Sequence, residues 1–274
     1  MNFAVIGGDR RMDYAAAALA HAGHVQVDRP EQAEMVLLPM PLTADGVHIH
    51  GTEETLPALM ASLPRQTAVF GGGPYPGVRN YAADEVLCLR NAALTAEGAL
   101  AVAVEGSPQA IRGSRCLILG GGRIGMCLCG LLAAMGARVT LFARRAVQRE
   151  QAVLRGAEAV DAGGLGQALR QSSFVFNTIP AQTAQWDDLL AIPAETLWIE
   201  LASSPFGIPP EAVERLVFRY QPAGGLPGRL SPKAAGEILA DTVLRMMTAP
   251  GEHGQPDSGE RQDIQNGEGT YAAE

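Results

Sequence analysis

Three glycines near the middle of the chain have the spacing of a dinucleotide-binding turn. Gly120, Gly122 and Gly125 lie in the sequence GGGRIG, where Arg123 and Ile124 occupy the last two variable positions. In such a turn the first glycine makes the bend, the second lets a pyrophosphate approach the backbone, and the third lets helix and strand pack closely. The following helix offers N–H donors and a favourable dipole to the phosphates. The motif predicts a dinucleotide site at these five residues; the alternative is a plain turn in a glycine-rich chain.

The kind of dinucleotide is indicated by the residues about twenty positions after the first glycine. An acidic side chain there would accept the ribose 2′-hydroxyl of NAD, but the sequence has Arg144 and Arg145. A guanidinium can bind a 2′-phosphate, and no carboxylate is present to repel it. We therefore predict NADP rather than NAD as the cofactor, with both arginines in its site; the alternative is two solvated arginines at the edge of a loop.

Two further segments place small polar residues and a proline after predicted strands. Asn177, Thr178 and Pro180 belong to the sequence NTIP, and Ser203 belongs to the sequence LASSP. In doubly wound sheets, ligands bind at the carboxyl ends of the strands. We therefore expect the NTIP residues to contact the cofactor near its nicotinamide.

The elements that must position these residues follow a regular pattern. Short apolar runs alternate with alanine- and leucine-rich stretches of helical length up to about residue 247, which is the pattern of parallel sheets covered by helices. The predicted fold class is α/β, with two doubly wound parallel-sheet, Rossmann-like domains joined by a long helix. The predicted strands are Phe3–Ile6, Val25–Val27, Met35–Leu38, Thr67–Phe70, Val86–Leu89, Arg115–Leu119, Arg138–Phe142, Ser173–Asn177, Leu197–Leu201 and Leu216–Tyr220.

The domain boundaries follow from composition and from helix start and stop signals. Pro108 ends the long alanine-rich segment, and Pro232 after Ser231 marks the start of the last helix. After Pro250 the chain is polar and glycine-rich. The prediction is an N-terminal α/β domain on the substrate side (1–91), a linking helix (92–110), an NADP-binding domain (111–230), a C-terminal helix (231–249) and a disordered tail (250–274).

Charge and hydropathy exclude two classes of partner. The formal net charge is −8, so the protein as a whole would repel nucleic acid and anionic membranes. No window reaches the roughly 18 consecutive apolar residues of a membrane span, and the N-terminal sequence lacks the pattern of a secretory leader. We expect a cytoplasmic protein.

Metal and redox chemistry have little support in the sequence. His48 and His50 alternate on one segment, but no third ligand lies near them in the sequence, so we predict no metal. The spacing of the cysteines fits neither a redox pair nor a zinc site, and we interpret them as small core residues. The four are Cys88, Cys116, Cys127 and Cys129.

Six stretches in the same order give the chain a resemblance to the family of dipicolinate synthase A subunits, from residue 1 to about 247. They are AVIGGDRR, TAEG (Thr95–Gly98), LGGGRIGM (Leu119–Met126), NTIP, LASSP and GLPGRLSPKAAGEILA (Gly225–Ala240). The resemblance implies a protein that works together with a flavodoxin-like B subunit in endospore-forming cells, in the mother-cell compartment. Together they would oxidise dihydrodipicolinate, a small dicarboxylate, to dipicolinate with NADP as hydride acceptor. It also implies an architecture similar to the two-domain 2-hydroxyacid dehydrogenases.

That reaction requires residues that hold two carboxylates and one that accepts a proton. Lys233 is the first candidate for a carboxylate, since it is the one lysine among 21 lysines and arginines. Further candidates are Arg10 and Arg11, with Ser203 and Ser231 as neutral donors. The resemblance places Glu97 at the domain junction, where it is the candidate to accept the proton or to fix a water or a ring group. For Lys233 and Glu97 the alternative is an ordinary solvated side chain.

The sequence is also consistent with two other functions. One is a stand-alone NADP-dependent reductase of another small carboxylic acid, and the other is a non-catalytic nucleotide-binding subunit that regulates a partner enzyme. A homodimer is also possible.

Overall fold

The computed structural model describes residues 1–248, so the predicted disordered tail lies outside the described residues. The N-terminal part forms a parallel sheet in the order β2-β1-β3-β4-β5. The strand order reverses direction between β1 and β3, so the switch point of the sheet lies between the carboxyl ends of these two strands. Its elements are β1 (Asn2–Val5), α1 (Arg10–His21), β2 (Val25–Gln26), a 3-10 turn (Pro30–Gln32), β3 (Met35–Leu37), α2 (Leu56–Ser62), β4 (Ala68–Gly71), β5 (Val78–Asn80) and a second 3-10 turn (Tyr81–Ala83).

A long helix, α3 (Glu85–Gly106), leads into a second parallel sheet in the order β8-β7-β6-β9-β10-β11. In chain order this is 3-2-1-4-5-6, the strand order of dinucleotide-binding folds, with its switch point between β6 and β9. The predicted fold class is confirmed. The elements are β6 (Arg115–Leu119), α4 (Arg123–Ala134), β7 (Arg138–Phe142), α5 (Ala146–Val153), β8 (Glu158–Val160), α6 (Ala162–Gln171), β9 (Phe174–Asn177), α7 (Trp186–Leu190), β10 (Leu197–Glu200), α8 (Pro210–Val213), β11 (Arg219–Pro222), α9 (Leu226–Leu230) and α10 (Pro232–Thr248).

One predicted strand is wrong, and the predicted strand Leu216–Tyr220 begins three residues later than expected, as β11 (Arg219–Pro222). The run Val86–Leu89 lies in the first turns of α3, which begins at Glu85 rather than at residue 92. The Asp84 side chain caps this helix by accepting the backbone N–H of Leu87 at 2.8 Å. A run of four apolar residues fits a strand or a buried helix equally well, and here the preceding cap decides for the helix. The last strand of the first sheet is instead Val78–Asn80, a half-exposed edge.

The C-terminal helix returns to the first domain. In α10, Leu239, Ala240 and Val243 are buried in the core that also contains Met12 and Leu19 of α1. The core of the N-terminal sheet is therefore completed by residues more than two hundred positions after α1 in the chain.

The helix α3 has the length and mean hydropathy of a possible membrane span. It packs against α4, α9 and α10, and its residues Leu87, Ala92, Ala96, Ala99 and Ala103 are buried. One face of α3 is therefore buried between these helices, while large apolar side chains elsewhere on it are exposed. Helices of soluble proteins also reach this length and mean hydropathy.

The contact between α1 and α10 depends on a glycine. A Cβ at Gly236 would lie 2.4 Å from the carbonyl oxygen of Arg11, a backbone atom that cannot move cheaply. We expect Gly236→Ala to lower the free energy of unfolding by about 1–3 kcal/mol, the usual cost of overpacking. Gly130→Ala in α4 is the matched control, because a Cβ there meets nothing within 4 Å. Gly130→Ala should raise the free energy of unfolding slightly, because alanine has a higher helix propensity than glycine. Thermal melts of both variants measure the difference, and equal melting temperatures would contradict the close contact.

Candidate functional site

The glycine turn lies at the switch point of the second sheet, and its glycines serve different purposes. Gly120 has φ +109°, and a Cβ there would lie 2.3 Å from Thr178 Oγ1. A Cβ at Gly125 would lie 1.9 Å from the carbonyl oxygen of Gly120. A Cβ at Gly122 would meet nothing within 4 Å, so this position faces open space at the start of α4. The first and third glycines are required by the fold, and the second leaves room for a ligand.

Three loops surround a cavity of about 250 Å³ beside this turn. They come from the carboxyl ends of β6, β7 and β9, and their lining residues are Gly120, Gly121, Gly122, Ala143, Arg144, Arg145, Gln148, Thr178, Ile179 and Pro180. Six residues that the sequence singled out are therefore brought together here, namely Gly120, Gly122, Arg144, Arg145, Thr178 and Pro180. Four lining residues were missed, although all lie close in sequence to predicted site residues: Gly121, Ala143, Gln148 and Ile179.

The loop after β7 is held by a third arginine that the sequence pattern did not single out. Arg149 Nη1 donates to the carbonyl oxygens of Ala143 and Arg144, at 2.8 and 2.9 Å. These bonds fix the backbone that presents the exposed side chains of Arg144 and Arg145 to the cavity. Three arginines within six positions give this loop a strong positive charge, which suits an anionic group.

Asn177 is fully buried and does not line the cavity. Its amide bonds the backbone N–H and C=O of Ile179, at 3.1 and 3.0 Å, and so shapes the loop that does. The hydroxyl of Thr178 donates to the Leu119 carbonyl at 2.8 Å, which ties this loop to the end of β6. The sequence predicted that Asn177 contacts the cofactor. In the structure Asn177 is instead buried beneath the loop Thr178–Pro180, outside the cavity lining.

Arg123 and Ile124 also lie outside the cavity lining. Arg123 Nε bonds Glu85 Oε1 of α3 at 2.9 Å, an exposed ion pair between the two helices. Ile124 packs against the core of the second sheet. Within the motif, these two side chains contact neighbouring elements. Gly120 and Gly122 line the cavity, whereas Gly125 is buried outside the lining.

The four predicted catalytic residues lie on separate elements. Arg10 begins α1 at the switch point of the first sheet, where its guanidinium bonds the Tyr14 hydroxyl at 3.3 Å. Glu97 and Ser203 are exposed, on α3 and in the loop after β10. Lys233 is in the first turn of α10 with 72% of its side chain exposed, and its Nζ lies 3.9 Å from Glu237 Oε1. Within residues 1–248, no hydrogen bond or ion pair joins these four side chains to one another.

The adjacent Arg11 is turned inward instead. Its guanidinium bonds both carboxylate oxygens of Asp9 and the Met40 carbonyl, the latter at 2.6 Å. A Cβ at Gly228 of α9 would come within 2.8 Å of the same Asp9 carboxylate. The pair therefore ties the start of α1 to the loop after β3 and lies close against α9.

The structure offers no metal cluster within residues 1–248. His48 pairs with Asp45 at 2.6 Å, and this hydrogen bond raises the pKa of the histidine. Cys116 and Cys129 are buried free thiols, and burial raises their pKa values to about 12 and about 11. Both thiols remain protonated at neutral pH, as expected of core residues.

A glycine turn at the switch point of a 3-2-1-4-5-6 sheet, beside a second parallel sheet, defines a two-domain dinucleotide-binding protein of the dehydrogenase type. A family model for the NAD-binding domain of D-isomer specific 2-hydroxyacid dehydrogenases matches residues 92–189. This match supports an oxidoreductase with a nicotinamide dinucleotide as cofactor. The resemblance seen in the sequence motifs is also confirmed, because the chain is 26% identical to the A subunit of dipicolinate synthase from Bacillus subtilis (strain 168). The alignment covers 90% of this chain and 96% of that protein.

Solved structures agree with this architecture. The A subunit of dipicolinate synthase from Bacillus halodurans is 24% identical and superposes with a TM-score of 0.81, covering 91% of this chain and 98% of that one. Salmonella D-lactate dehydrogenase is 13% identical with a TM-score of 0.62, covering 90% of this chain and 96% of that one. At these identities the likeness establishes the fold.

Proposed function

We propose that this chain is the A subunit of a dipicolinate synthase, an NADP-dependent oxidoreductase that converts dihydrodipicolinate to dipicolinate. The observation that carries the proposal is the similarity to the Bacillus subtilis A subunit over 90% of the chain, with the glycine turn intact. A flavodoxin-like B subunit is the proposed partner, since the relative is itself one subunit of a synthase. The proposed location is the cytoplasm of the mother cell in a sporulating bacterium.

The residues around the 250 Å³ cavity fit a nicotinamide dinucleotide. The open side of Gly122 and the first N–H groups of α4 would hold the pyrophosphate. Arg144 and Arg145 would hold the 2′-phosphate of NADP, and Thr178 and Pro180 would lie against the nicotinamide half. When bound, this cofactor would supply the acceptor for the hydride that leaves the substrate.

The substrate must also lose one proton and keep both carboxylates in place while the ring becomes aromatic. We assign one carboxylate to Lys233, with Arg10 and Ser203 as further donors. Glu97 is the proposed proton acceptor. These four assignments require the domains to bring α1, α3, α10 and the loop after β10 around one substrate.

The experiment that tests the function is turnover of dihydrodipicolinate with NADP, followed by the ultraviolet absorbance of the aromatic ring. It is run on the chain alone and with a flavodoxin-like B subunit. Product formation that requires this chain supports the proposal. Tight NADPH binding with no contribution to turnover would make it a regulatory subunit, and turnover of another small acid without a partner would make it a stand-alone reductase.

Cofactor preference provides a second test. We expect the protein to bind NADPH more tightly than NADH, and Arg144→Ala to reduce this preference by about 1–3 kcal/mol, the value of a charge-assisted hydrogen bond. Arg155→Ala is the control, because it removes the same charge from an exposed arginine that does not line the cavity. Fluorescence titration of the three proteins with each cofactor gives the six dissociation constants. Equal affinity of the unmutated protein for NADPH and NADH would refute the NADP assignment.

A further inference from the structure

The end of β10 carries a buried carboxylate that the proposed reaction does not use. Glu200 is only 1% exposed and follows the apolar run Leu197–Ile199. Burial raises the pKa of this carboxyl group, and hydrogen bonds to it act in the opposite direction. A buried carboxyl group is costly unless its oxygens are satisfied, so its partners indicate why it is there.

Four N–H donors converge on Glu200, two on each oxygen. Oε1 accepts from Asn177 Nδ2 at 2.6 Å and from the Ala202 backbone N–H at 3.2 Å. Oε2 accepts from Trp198 Nε1 and from the Gly207 backbone N–H, both at 3.2 Å. Ala202 and Gly207 bracket the loop after β10, so this one side chain closes that loop at both ends.

Through Asn177 the same carboxylate reaches the loop after β9. Asn177 and Glu200 are register partners on neighbouring parallel strands, so their side chains leave the same face of the sheet. One Asn177 Nδ2 hydrogen goes to Glu200 and the other to the Ile179 carbonyl, while Oδ1 accepts the Ile179 N–H. The amide orientation is thereby determined, and Ile179 is held by both of its backbone groups.

We propose that Glu200, acting through Asn177, is a positioning residue that holds the cofactor-contacting loop Thr178–Pro180 and the loop Ala202–Gly207 in one arrangement. This inference rests on the proposed function, in which Thr178–Pro180 contacts the cofactor. The close approach of the two loops supports it, since a Cβ at Gly207 would lie 2.2 Å from Asn177 Nδ2. The hydrogen bonds of Glu200 and Asn177 therefore hold both the loop Thr178–Pro180 and the loop that carries Ser203.

Because N–H donors face both Glu200 oxygens, the side chain at position 200 needs a hydrogen-bond acceptor at each of these two atoms. A glutamine at position 200 has the same shape, but one of its ends is an NH2 group that would face two N–H donors in either orientation. The titratable neighbour of the pair is Tyr220 on β11. Its pKa is raised by burial, by the negative charge of Glu200 and by a side-chain hydrogen bond to Glu200, so its hydroxyl stays neutral around pH 7.

The first experiment compares Glu200→Gln with Thr196→Val. Thr196 is buried at the amino end of β10 and donates to the Ser172 carbonyl at 2.7 Å, so the control removes a buried hydrogen bond beside the same two strands. Glu200→Gln should weaken binding of both NADPH and NADH about tenfold or more, since misplaced loops affect both cofactors. Thr196→Val should lower the melting temperature and leave both affinities unchanged.

The second experiment uses Asn177→Asp and remains informative if Glu200→Gln does not fold. Two carboxylates would then face each other at 2.6 Å, and they can bond only when one of them holds a proton. The ratio of the NADPH dissociation constant of the variant to that of the unmutated protein should fall as pH is lowered from about 8 to about 6. Taking the ratio cancels the titration of the cofactor's own phosphate.

The outcomes separate this inference from the proposed function. Failure of the unmutated protein to bind either dinucleotide would overturn the function. Normal binding by Glu200→Gln, equal loss of affinity in Thr196→Val, or a ratio for Asn177→Asp that does not change with pH would overturn the positioning role alone.

Discussion

Replacing Gly122 by valine is expected to abolish binding of both NADPH and NADH while the protein keeps its fold. A Cβ at this position meets nothing within 4 Å, and the backbone has φ −84° and ψ −169°, which valine adopts readily. The added side chain would stand between the backbone and the pyrophosphate. Loss of several charge-assisted hydrogen bonds to the pyrophosphate should lower the affinity for both cofactors by at least about 100-fold.

Gly130→Val is the matched control for this prediction. It lies in the same helix, and a Cβ there also meets nothing within 4 Å. Titration with each cofactor and a thermal melt of both variants complete the experiment. Gly125 is a poor choice for this test, because its Cβ would overlap the Gly120 carbonyl and damage the fold itself. Retained affinity in Gly122→Val would show that the motif is only a turn.

Replacing Lys233 by methionine is expected to lower turnover by about 100-fold or more while cofactor affinity survives. If the ammonium holds a substrate carboxylate, its removal costs about 3 kcal/mol of charge-assisted bonding, and the loss appears in kcat/KM. Methionine is a good helix former of similar length, and the exposed pair with Glu237 contributes little to stability. The glycine turn and Arg144 lie on other loops and should bind the cofactor normally.

Two further variants make this prediction specific. Lys233→Arg should rescue poorly, because a planar guanidinium does not replace a compact ammonium. Glu237→Gln removes the partner of Lys233 in the structure and should leave turnover near normal. All variants are assayed with the partner subunit present. Near-normal turnover of Lys233→Met would assign the lysine to the solvated surface and make Arg10 the next residue to test.

The two-sheet architecture and the glycine turn could be predicted because their signals are local. Each buried parallel strand is a short apolar run, and the GGGRIG spacing is required by backbone contacts a few residues apart, such as that between Gly120 and Gly125. The strands Arg115–Leu119 and Arg138–Phe142 have the predicted bounds for this reason. The run Val86–Leu89 was ambiguous because four apolar residues carry no period, and the cap at Asp84 decided its state.

What the sequence by itself determined is the chemistry of each loop: glycines for close approach, arginines after β7 and small polar residues after β9 and β10. Only the tertiary structure decided which side chains face the cavity and which stand behind it. Asn177 and Thr178 are adjacent in sequence, yet one is buried against Glu200 and the other lines the cavity, because successive residues at a strand end point to opposite sides. The return of α10 to the first sheet and the pairing of Asn177 with Glu200 are likewise long-range contacts, which no local pattern encodes.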